Sequence, residues 1–97
     1  MPISIRFHPE AERDLIEATQ WYNFQLKGLG TEFILCLDDA IERIKRKPRM
    51  YPFVHNQIRR VSLRRFPFAV FYETIDDEIR VLAVFHSRRN PDRWKLR

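Results

Sequence analysis

The chain has 97 residues, 44% of them apolar and 13% aromatic, with a net charge of +5. That length holds one hydrophobic core and no second one, and that composition excludes disorder. No apolar run approaches the ~20 residues of a membrane span, and Met1–Phe7 is too short and too soon followed by charge for a signal peptide, so a cytoplasmic protein without membrane contact is expected. The single cysteine, Cys36, rules out an internal disulfide and lies in a helical apolar pattern, where it reads as a small core or near-core residue. The charge is segregated: residues 1–42 sum to −5 and residues 43–97 to +10. A basic half of that kind points to an acidic partner, either nucleic acid or an acidic protein segment.

In chain order, Pro2–Phe7 reads as a strand, with Ile3, Ile5 and Phe7 alternating against Ser4 and Arg6. His8-Pro9 stops it, and Pro9 suits the first turn of a helix whose positive end is met by Glu10, Glu12 and Asp14. That helix is expected over Pro9–Leu26. Ala11, Leu15, Ala18, Tyr22 and Leu26 form its stripe, Trp21 widens it, and Lys27-Gly28 closes it. A second helix starts at Gly30-Thr31 and stops at Pro48, with Phe33, Leu37, Ala40, Ile41 and Ile44 on one face. Glu32, Asp38, Asp39 and Glu42 lie mostly off that face, and Lys45, Arg46 and Lys47 sit at the negative end of the dipole. The short connection makes an antiparallel helical hairpin.

Arg49–Asn56 contains Pro52 and has no clear period, so it is expected to be a loop. Three strands follow, over about Gln57–Arg64, Pro67–Thr74 and Ile79–His86. In the first, Val61 and Leu63 point one way, and Arg60, Ser62 and Arg64 the other. Phe66 to Tyr72 and Ile79 to Phe85 are nearly continuous apolar runs around the polar segment Thr74–Glu78, the signature of a hairpin covered on both faces. The tail, Ser87–Arg97, is basic and carries Pro91 and Trp94. The order β-α-α-β-β-β predicts an α+β domain over residues 1–97, a helical hairpin packed on a mainly antiparallel sheet.

Three stretches then resemble one family when taken together: HPEAERDLIEATQWY, GLGTEFILCLDDAIERIKRKPRMYP, and the pair RRFPFAVFYE and VLAVFHSRRNPDRW. In their order the chain resembles the RelE/ParE superfamily of type II toxin–antitoxin toxins, with a ParE-like ending in which a strand closes on a His, followed by an Arg/Asn-Pro segment and a Trp. The resemblance implies a small growth-arresting toxin silenced by a cognate, ParD-like antitoxin. Its target would be DNA gyrase for a ParE-like member. For a RelE-like member it would be the ribosome, with mRNA cleaved there as an endoribonuclease.

Both readings use the basic hairpin. Cleavage of RNA through its 2′-hydroxyl needs groups that accept and donate protons, and cations on the phosphate. His86 and Tyr72 could handle protons, and Arg60, Arg64, Arg65 and Arg88 could hold phosphate through their forked donors. His86 and Arg88 share strand parity if the strand reaches that far. Gyrase inhibition asks only for a binding surface. Arg60, Arg64, Arg65, His86, Arg88, Arg89, Arg93 and Trp94 would supply one, since Arg and Trp are favoured interface anchors. There is no metal-ligand spacing, no glycine-rich phosphate loop and no nucleophile motif, so neither a metal nor a cofactor is expected. Asp76-Asp77-Glu78 reads as a hairpin turn.

Overall fold

A computed structural model describes residues 4–88. Its elements are β1 (Ser4–Phe7), α1 (Pro9–Gln25), α2 (Leu29–Arg46), β2 (Phe53–His55), β3 (Ile58–Ser62), β4 (Phe68–Ile75) and β5 (Glu78–His86). They form one five-stranded sheet in the order β1-β5-β4-β3-β2. β1 runs parallel to β5, and every other pairing is antiparallel. The expected α+β layer pair is what forms, with one strand more. β2 lies inside the segment expected to be a loop. Pro52 hid it: lacking an N–H, proline suits the outside of an edge strand, and here its carbonyl accepts from Arg60 N at 3.3 Å. Asn56, at φ 50°, turns the chain from β2 into β3, a left-handed conformation that asparagine tolerates.

The helices begin and end for local reasons. His8 is the N-cap of α1, its Nδ1 accepting from Glu10 N at 3.0 Å, and Pro9 follows in the first turn. Leu26 leaves the helix with φ −158°, so it falls out of phase with the apolar stripe and lies exposed. Trp21, expected to widen that stripe, is instead 58% exposed. Gly28, at φ 89°, turns the chain into α2. The two helices approach closely at Gly30, whose N–H donates to the Asn23 side chain at 2.8 Å. A Cβ placed there would lie 2.6 Å from the Thr19 carbonyl oxygen and from Asn23 Cγ.

The main core lies between helices and sheet. Ala11, Ala18 and Tyr22 of α1 and the expected five residues of α2 meet Val61, Val70, Tyr72, Ile79, Val81 and Val84. Ala69, Phe71, Ala83 and Phe85 are buried on the opposite sheet face, with Ile58 against them, so both faces of the β4–β5 hairpin are covered as expected. Two polar contacts fix the layers. The Tyr72 hydroxyl donates to the Pro48 carbonyl at 2.7 Å, tying the exit of α2 to the middle of the sheet. Asp14, on the buried face of α1, accepts from Val84 N at 3.1 Å. β1 pairs with β5 only as far as Val81, so past that point the helix supplies the acceptor a neighbouring strand would have supplied.

Three outcomes are expected. Gly30→Ala forces the helices apart and lowers Tm by roughly 10 °C, read by thermal melting. Asp14→Ala leaves a buried N–H without its acceptor and costs ~1–3 kcal/mol in a urea titration, most of it recovered in Asp14→Asn. Burial pushes the Tyr72 pKa from 10.0 up to about 12. The neutral hydroxyl is the folded form, so its stabilisation is complete below pH ~10 and fades as pH rises through ~12. Tyr72→Phe flattens that alkaline loss in pH-dependent melts while costing ~1 kcal/mol at neutral pH for the bond to Pro48.

Candidate functional site

β5 carries a bulge. Its register to β4 passes from Phe71↔Ala83 to Tyr72↔Val81, with Leu82 as the extra residue. The insertion shifts side-chain parity by one. Ile79 and Val81 face the helices before it, and Val84 faces them after it. His86, two residues beyond Val84, therefore also falls on the helical side, at the end of the strand. Its ring meets Phe68 edge-on, with centroids 5.4 Å apart. Its Nδ1 accepts from Arg88 N at 3.1 Å, in the turn that ends β5. With Nδ1 accepting, the neutral ring carries its proton on Nε2, so the free nitrogen is a donor and not a base.

A groove of about 730 Å³ opens there between α1 and the end of the β4–β5 hairpin. Asp14, Glu17, Ala18, Trp21 and Tyr22 come from the helix, and Pro67, Phe68, Val84, His86 and Arg88 from the sheet. The β3–β4 turn is fastened to the same end of the sheet, through Ser87 N to Pro67 O and Leu63 N to Phe68 O. The structure thus brings Arg64, Arg65, His86 and Arg88 to one end of the molecule.

The arginines differ in their surroundings. Arg64 pairs with Asp39 at 3.6 Å and Arg65 with Glu32 at 3.2 Å, both carboxylates on α2. Asp39 also holds Arg43, which reaches on to the Ser62 carbonyl. The basic turn is therefore laced to acidic residues of the other half of the chain, a compensation invisible in the linear charge pattern. Exposed pairs of this kind are weak and can exchange for another anion. Arg65 sits at φ 69°, a left-handed conformation that costs a non-glycine residue roughly 1 kcal/mol. Arg60 pairs with Phe71 and so lies on the sheet face turned away from the helices.

Tyr72 stands apart from His86. It is fully buried, its hydroxyl is committed to Pro48, and four residues of β4 separate it from Phe68, the register partner of His86. At about 3.4 Å per residue that is roughly 13 Å. The two groups considered for proton handling are not brought together. Arg89, Arg93 and Trp94 lie outside the described residues. No group of three or more His, Cys, Asp or Glu side chains that could hold a metal occurs among the described residues, and no helix there is long and apolar enough to cross a membrane.

Sequence reasoning missed the α1 wall of the groove. The available signal was Asp14: three residues after Ala11 and four before Ala18, it falls on the apolar stripe, where a carboxylate needs a buried partner. Trp21 adjoins that stripe and was expected to widen it, but it lies exposed on the groove wall.

Residues 5–91 match the family model described as the ParE toxin of type II toxin–antitoxin system, parDE. Toxin ParE2 of Mycobacterium tuberculosis, in strains CDC 1551 / Oshkosh and ATCC 25618 / H37Rv, is 32% identical over 89 residues, covering 91% of this chain and 85% of that protein. A solved structure of the chromosomal ParDE TA system from P. aeruginosa superposes with a TM-score of 0.77, over 88% of this chain and 96% of that one. At 16% identity that likeness speaks for the fold alone. With a family model spanning most of its length and a curated toxin at this identity, the chain belongs to the ParE toxin family of type II toxin–antitoxin systems.

Proposed function

We propose that the chain arrests growth by binding DNA gyrase in the cytoplasm, as a single toxin domain, and that a cognate ParD-like antitoxin neutralises it. The observation that carries a binding role over RNA cleavage is the His86 ring. Its Nδ1 is taken by the Arg88 N–H, and the nearest candidate for a second proton-handling group on the hairpin, Tyr72, is buried on Pro48. General acid–base cleavage needs two such groups within reach of one phosphodiester. A binding surface needs only exposed anchors, and Arg64, Arg65 and Arg88 are exposed at the same end. In this reading His86 contributes a donor to that surface, Arg60 stands apart on the other sheet face, and Arg89, Arg93 and Trp94 are proposed to belong to the surface as well.

The antitoxin is proposed to use both halves of the charge pattern. An acidic segment suits the basic turn, where it would replace Asp39 and Glu32 as the partner of Arg64 and Arg65. Ile16, Phe24 and Leu35 lie exposed on the helical hairpin, and a helix laid on them would bury that surface. β2, at the edge of the sheet, offers its outer side to an added strand.

The test is a pair of assays on the purified chain. Supercoiling by gyrase is expected to be inhibited, while mRNA on translating ribosomes stays intact. Arg88→Glu is expected to weaken gyrase inhibition by at least ~10-fold without lowering Tm. Cut mRNA with normal supercoiling would replace this reading with the RelE-like one.

A further inference from the structure

The groove beside His86 has a chemistry that neither gyrase binding nor RNA cleavage explains. Its α1 wall presents the exposed indole of Trp21 and the exposed carboxylate of Glu17, which makes no ion pair among the described residues. Trp21 is held edge-on against Tyr22, with centroids 5.1 Å apart at 84°. Tyr22 in turn packs on Phe68 at 5.9 Å, so three aromatic rings run along the groove. Tyr22 is only 9% exposed, yet its hydroxyl has no hydrogen-bond partner among the described residues. Its oxygen is not sealed from solvent, so it opens onto the groove and can meet a donor from a ligand there.

The ligand's chemistry follows from the wall. Aromatic faces attract cations through their quadrupole, and a carboxylate beside them selects for positive charge. A planar guanidinium satisfies all three features together. It stacks on the indole, donates a fork of N–H groups to Glu17, and has further N–H groups for the Tyr22 oxygen. An ammonium ion is more strongly hydrated and cannot stack. His86 Nε2–H and Arg88, on the opposite wall, are donors, and they repel a compact charge more than a delocalised one. We propose that this groove binds an arginine side chain presented by a partner polypeptide. The inference rests on the groove and not on the identity of the toxin's target, so the gyrase reading can fail without it.

The test uses the full chain, isotopically labelled, with the Trp21 indole signal assigned by comparison with Trp21→Phe. N-acetyl-arginine-N-methylamide is titrated in, and the citrulline analogue serves as its uncharged match. Arginine is expected to shift the Trp21 indole saturably, and citrulline to bind at least ~10-fold more weakly. Glu17→Gln, a change at an exposed side chain that leaves the backbone spectrum in place, is expected to lose about the same ~10-fold. Absence of a saturable shift, equal binding of arginine and citrulline, or an unchanged affinity in Glu17→Gln would overturn the proposal. So would a stronger response to guanosine monophosphate, which would make the groove a nucleotide site.

Discussion

The architecture depends on how one backbone edge is closed. β1 is too short to accompany β5 to its end, and the carboxylate of Asp14 takes over at Val84. A strand edge left to itself is a template for unwanted pairing, and a buried N–H without an acceptor costs a substantial part of a small domain's stability. Answering it from a helix does two things at once. It fixes the rotation of α1 over the sheet, and it keeps the far end of β5 clear of a neighbouring strand. The groove exists because of that second effect. The bulge at Leu82 completes the arrangement by turning Val84 and His86 to the helical side.

Most of the fold was legible in the residues because it rests on local periodicity. The apolar face of α2 is the one its spacing predicts, and the turn at Asp76 falls in the polar break between two apolar runs. What escaped has definite causes. β2 is three residues long and begins after a proline, so neither alternation nor propensity could show it. The bulge cannot be read from the sequence, because Val81–Phe85 is apolar at every position and either parity looks equally buried beyond Arg80. Placing His86 required that parity. The pairing of Arg64 and Arg65 with Asp39 and Glu32 spans more than twenty residues of sequence, and segment-by-segment charge counting cannot register it.

The candidate site is a place where donors gather: Arg64, Arg65, Arg88 and the Nε2–H of His86. Three arginines converge on one end of the sheet, two of them held by exchangeable exposed ion pairs with α2. Such a surface suits anions, and under the function proposed above an acidic segment of the antitoxin would take the place of Asp39 and Glu32. The fold itself does not choose a target, since the same scaffold serves unrelated activities. The choice rests on individual groups, and here on the imidazole of His86.

Its tautomer is therefore the most direct measurement. Ring-nitrogen NMR of His86 in the folded chain distinguishes an accepting Nδ1 from a protonated one. The account predicts an accepting Nδ1 and a proton on Nε2, as the bond from Arg88 N requires. A proton on Nδ1 with a free Nε2 would contradict it, because that ring would present a base to the groove and restore the case for proton-transfer chemistry.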